Sequence, residues 1–220
     1  MDVPPPAIPR DRLTGWEETT ATVEEAFSTP LVTVYTHTIV FEETAAREQI
    51  RVATGCDHPW QFFFVSRIRL VPSREPGGVL TALVRRKAAA GFTDRLADRG
   101  IEQVTERDRQ ERPIGDTTGL LATYSGRVRL PAPATDTAPS GSDTTAADQT
   151  TATLVVPITA ILGVWAAAGD YHVAGGGVPA DSPDSGPTAV VDAVTDAIDP
   201  PAAREEILAL IEACGQATSA

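Results

Sequence analysis

The clearest hydrophobic periods in this 220-residue chain lie in its first half. Residues 32–41 (VTVYTHTIVF) are dense in β-branched and aromatic side chains and predict a strand. Residues 60–71 (WQFFFVSRIRLV) predict another. There Phe62, Phe64, Ile68 and Leu70 alternate onto one face, and Gln61, Phe63, Val65, Arg67 and Arg69 onto the other. Residues 44–54, between these two, fit a short helix or a continued strand equally well. Residues 79–99 carry the helical period: Leu80, Leu83, Val84, Ala88, Phe92 and Leu96 make one apolar stripe. Pro76-Gly77-Gly78 opens that helix, Gly100 closes it, and Gly91 weakens its middle.

Residues 101–113 and 118–130 pair as a hairpin around Gly115-Asp116. In its second arm Leu120, Ala122, Tyr124 and Val128 share a face. Its first arm is polar on both sides, which suits an exposed sheet edge. Residues 131–150 (PAPATDTAPSGSDTTAADQT) lack the large apolar side chains needed to fold and read as a disordered acidic loop. Residues 152–168 are almost wholly apolar. They read as two buried strands meeting at a bend, the alternative being a membrane helix of marginal length. A last strand is expected over 170–173, with Gly175-Gly176-Gly177 as its flexible exit. A second linker spans 179–187, and helices follow over 189–198 and 202–214.

Hairpins together with helices predict an α+β fold: an antiparallel sheet of about six strands, with a long central helix and C-terminal helices packed on it. The domain is expected over residues 15–215, preceded by a flexible proline-rich arm, 1–14. The element order over residues 16–215 resembles the PsbP-like α+β fold. The chain also resembles a group of haloarchaeal proteins in three segments: GWEE at 15–18, Phe-Phe-x-Ser-Arg at 63–67 and GFTDRL at 91–96. PsbP-like proteins are generally binding or assembly modules, so the resemblance implies a non-enzyme.

Composition adds the setting. The net charge is −12 and asparagine is absent. The acid excess falls in residues 131–220, which hold 12 acidic residues and one basic residue, Arg204. Such a surface suits high salt, where like-charge repulsion is screened. It leads to the expectation of a halophilic, cytoplasmic protein that binds neither nucleic acid nor membrane and carries no cofactor.

The candidates for chemistry are few. Cys56-Asp57-His58 sets a thiol, a carboxylate and an imidazole side by side. With Asp170, and with His37 or His172, these residues offer a weak metal site, through Cys56, His58 and His172, or a nucleophile pair for an enzyme. Ligand count falls short of a closed metal site, and no activating motif surrounds Cys56. The favoured expectation is therefore a non-catalytic module that binds a protein or a small ligand. Arginine concentrates in the middle of the chain, and Arg67, Arg69, Arg107, Arg109 and Arg112 are the expected partner surface.

Overall fold

The computed structural model describes residues 3–28, 30, 32–73, 75–134 and 151–219. Seven antiparallel strands form one sheet: β1 (Trp16–Ser28), β2 (Thr33–Glu43), β3 (Phe62–Val71), β4 (Ile101–Ile114), β5 (Thr117–Pro133), β6 (Thr151–Ala167) and β7 (Asp170–Pro179). Their spatial order is β1-β2-β3-β7-β6-β5-β4. Four helices complete the fold: α1 (Ala45–Thr54), α2 (Gly78–Asp98), α3 (Thr188–Ala197) and α4 (Pro200–Ser219). The α+β class stands, with seven strands rather than about six.

Helices cover both faces of the sheet. On one, α1, α2 and α3 meet side chains such as Phe62, Phe64, Tyr124 and Leu162. On the other, α4 meets Phe63, Val65, Ile161 and Trp165 through Ile207, Leu210, Ile211 and Cys214. Residues 1–14, expected to form a flexible arm, dock on this second face among the residues described. Val3 is buried there, and Ile8 and Leu13 pack against the core.

The undecided segment 44–54 is helical. Glu43 accepts the backbone N–H groups of Ala45 and Ala46 at its start, and Gly55 ends it at φ 75°. The apolar run 152–168 is one unbroken strand rather than two strands or a membrane helix. Pro157 does not break it because its carbonyl accepts the Ala180 N–H at 2.8 Å. The proline nitrogen therefore faces the side where pairing with β7 is ending, and the ladder to β5 runs on through Pro157. Among the described residues no helix is long and apolar enough to cross a membrane.

The predicted disordered loop 131–150 begins too early. Pro131, Ala132 and Pro133 pair with Thr153, Ala152 and Thr151, so the hairpin ladder extends to the end of β5. The remainder of that prediction, from residue 135 to 150, lies outside the described residues. The last strand is longer than residues 170–173, and the three glycines lie inside it, opposite Phe64, Phe63 and Phe62. A Cβ at Gly177 would fall 2.5 Å from the Phe62 ring, and one at Gly176 would fall 2.8 Å from Ile207. These positions lack side chains because neighbouring ones fill the space.

Candidate functional site

The apolar stripe predicted on α2 faces the sheet, but only its C-terminal part is fully packed. Phe92 and Leu96 are buried, whereas Leu83 remains 42% exposed. Beneath the N-terminal two-thirds of the helix lies a cavity of about 370 Å³. That volume falls within the range of small-molecule sites. Its floor is the α2-facing side of β2 and β3, including Val34, Thr36, Phe64, Ser66, Ile68 and Leu70. Its outer wall is Ala26 and Phe27 on the edge strand β1, and Lys87 and Arg95, both exposed, stand at the solvent side.

Strand pairing places the polar atoms. Thr36 lies opposite Ile68, and Thr38 lies opposite Ser66. The Thr38 and Ser66 hydroxyls hydrogen-bond each other at 2.8 Å. The Thr36 hydroxyl is buried and has no partner among the described residues. Leaving such a group unpaired costs about 1–3 kcal/mol. On the helix wall, Gly91 interrupts an otherwise good helix, and nothing lies within 4 Å of where its Cβ would be. A side chain there would project into free space.

The residues expected to form one arginine surface divide between two places. Arg67 and Arg69 lie on the α4 face of β3 and converge on the buried Asp170. Arg67 Nε donates to Oδ2 at 2.6 Å, and Arg69 donates to Oδ1 at 3.2 Å and to Oδ2 at 2.9 Å. Burial alone would raise the carboxyl's pKa, but the hydrogen bonds and positive charges of the two guanidinium groups together outweigh it and hold Asp170 below the usual carboxylate range. Arg107, Arg109 and Arg112 are on β4, with β7, β6 and β5 between them and β3. They do not share a face either. Arg109 lies opposite Ala122, on the α2 side, where it chelates Glu106. Arg112 lies opposite Gly119, on the α4 side, and Arg107 donates to Ser125.

The cysteine and histidine candidates also fail to converge. Cys56 is buried in the core on the α2 side, and burial raises its thiol pKa. His58 packs edge-on against Trp60, with ring centroids 5.7 Å apart. Burial first, and then the charges of Arg47 and Arg99, lower His58 to about 4. His37 and His172 lie instead in one cross-strand row with Arg67, on the α4 face. His37 donates through Nδ1 to the Val3 carbonyl at 2.9 Å. His172 stacks on Trp165 and points Nε2 at the Ala167 carbonyl, 3.3 Å away. Cys56 and His58 are thus on one side of the sheet, and His37, Asp170 and His172 on the other. The weak metal site of Cys56, His58 and His172 and the nucleophile pair are corrected accordingly. Among the described residues no group of three His, Cys, Asp or Glu side chains could hold a metal ion.

A smaller cavity of about 200 Å³ lies beside His58 and Trp60, under Arg99. Arg99 stacks over the Phe62 ring at 4.3 Å, and the Trp60 indole N–H has no partner among the described residues.

The sequence concealed Thr36, Lys87 and Phe27 as cavity residues. The alternation of residues 32–41 says which face Thr36 takes but not that the space above it is empty. Gly91 was the available signal, since a glycine at the centre of a 21-residue helix costs about 1 kcal/mol relative to alanine. No curated protein and no solved structure matches the chain. A family model does match it, over residues 5–215, and the chain belongs to that family, DUF6517, a domain of unknown function.

Proposed function

We propose that the protein is a non-catalytic ligand-binding module whose site is the cavity between α2 and strands β2 and β3. The observation that carries this reading is a largely apolar cavity of about 370 Å³ with two hydroxyl-bearing residues, Thr36 and Ser66, in its floor. An apolar lining with a few placed polar groups is the usual composition of a small-molecule site: the lining supplies affinity and the polar groups supply orientation. The resemblance to PsbP-like modules belongs to the same proposal. So does the setting, a high-salt cytoplasm, which the acid excess of residues 131–220 supports.

The test is thermal. A ligand at about 100 times its Kd stabilises the folded state by about 2.7 kcal/mol, which raises the melting temperature of a chain this size by about 5–10 °C. Small hydrophobic compounds screened against the wild type should include ones that give such a shift. Gly91→Leu, which places a side chain into the cavity, should abolish the shift while leaving the unliganded melt cooperative. A shift of equal size in the variant would move the site elsewhere. No shift with any compound would end the reading.

A further inference from the structure

The charges at the cavity's solvent side identify the head of its ligand, on the reading that the cavity is the site. Lys87 is the only lysine in the chain. Its ammonium stands 5.8 Å above the Phe27 ring, and no carboxylate among the described residues lies within ion-pair distance of it. Arg95 is held by Glu24 at 3.1 Å across the gap between α2 and β1. Lys87 and Arg95 are each four residues from Gly91, one on either side, or about 6 Å along the helix axis. Both side chains can therefore reach the opening that the glycine leaves. Glu24 neutralises one of these two cations, so the pair with its partner carries a net positive charge. Phe27, 48% exposed beside them, supplies apolar surface at the same edge.

We propose that the ligand is an amphipathic carboxylate, with an aliphatic body in the cavity and its carboxylate at the Gly91 opening, paired with Lys87. The cavity lining accounts for the body: apart from Thr36 and Ser66 in the floor and the cations at the solvent side it is apolar, and each buried methylene tightens binding by up to about fourfold until the space is full. The lone lysine accounts for the head. Its present neighbour is an aromatic face, a weak partner that a carboxylate would outbid. A neutral ligand would leave the ammonium as it is. A dianionic head would need a second cation, and Arg95 already has Glu24.

Reductive methylation with ¹³C-formaldehyde turns the single lysine into a resolved NMR probe, apart from the signal of the terminal amine. Titration of the intact protein with decanoate should shift the dimethyl-Lys87 resonance, and decanol should bind without doing so. By calorimetry the unmethylated protein should bind decanoate at least tenfold more tightly than decanol, and octanoate more weakly than decanoate. Lys87→Gln should reduce the preference for the acid over the alcohol to a few-fold while leaving decanol affinity unchanged. Equal affinity for acid and alcohol, or a preference that survives in Lys87→Gln, overturns the carboxylate head and leaves the cavity reading in place. If neither compound binds the wild type, the inference falls, and the cavity reading is decided by the wider thermal screen.

Discussion

Glycine plays opposite parts where α4 lies on the sheet and in the α2 wall of the cavity. On the α4 face a Cβ at Gly163 would fall 2.7 Å from Ile211, and one at Gly176 would fall 2.8 Å from Ile207. There the glycines let a helix lie close on the strands, and the space is full. On the α2 face Gly91 meets nothing within 4 Å, so its absent side chain leaves room that no neighbour takes. Close packing contributes to the stability of a fold, and a gap is tolerated only where the remaining packing can bear it. The difference separates a structural face from a face with space for a ligand. It can be tested by asking the two faces to respond differently to the same kind of change.

The largest expected effect is on the full face. Gly176→Val would set a branched side chain against Ile207 and against the backbone carbonyl of Phe62. Backbone cannot yield as a flexible side chain does, so the cost should be about 3 kcal/mol or more. Urea unfolding of the variant should show a large drop in midpoint or no cooperative fold. A loss within experimental error would mean that α4 does not sit tightly on the sheet.

Much of the first half of the fold was legible in the sequence, and the exceptions have particular causes. β1 gave no signal because all but its first residue are exposed, and alternation is visible only where one face is buried. Its glutamates, Glu17, Glu18, Glu24 and Glu25, suit an edge that must not pair with another sheet. β7 was cut short at the glycines because a residue without a side chain carries no hydropathy pattern, even in a strand whose ten residues are all buried. The stripe on α2 was legible, but a stripe that packs and one that lines a cavity have the same period. The candidate chemistry misled for a related reason. Cys56 and His58 are neighbours in sequence, but only strand pairing reveals that His172 belongs with His37, Arg67 and Asp170 on the other face.

An intermediate effect should appear in acid, because each face holds an imidazole whose pKa burial lowers. Burial lowers the pKa of both His58 and His172, and His58 falls from 6.5 to about 4. A base whose pKa is lower in the folded state than in the unfolded state contributes fully above pH 6.5. That contribution is lost as the pH falls from 6.5 towards the folded value. At about 1.4 kcal/mol per pKa unit, the His58 loss has a ceiling of about 3 kcal/mol by pH 4. His58→Gln should flatten this part of the stability profile, and His172→Gln should flatten the rest. Asp170 acts in a separate window. Its lowered pKa maintains its contribution above the ordinary carboxylate range, and the contribution is lost only as the pH falls further. Urea midpoints at pH 7, 5.5 and 4.5 measure the slope. A flat profile in the wild type would show that neither imidazole is held neutral by burial.

The smallest effect has the opposite sign and is the sharpest test of the comparison. Gly91→Ala adds one methyl group to the α2 wall, at a position where nothing lies within 4 Å. Alanine is the better helix former by about 1 kcal/mol, because glycine loses more backbone freedom when the helix forms. With no clash to offset that gain, the variant should be more stable than the wild type by about 0.5–1 kcal/mol. The same glycine-to-alanine change at Gly163, against Ile211, should instead destabilise the protein. Paired urea curves of the two variants decide the point. If both lose stability, the α2 face is as closely packed as the α4 face, and the cavity beneath Gly91 is not free to receive a ligand. If Gly91→Ala gains and Gly163→Ala loses, the native glycine forgoes available stability at a helix position that lines the cavity. Selection for room at that position explains such a choice where packing cannot.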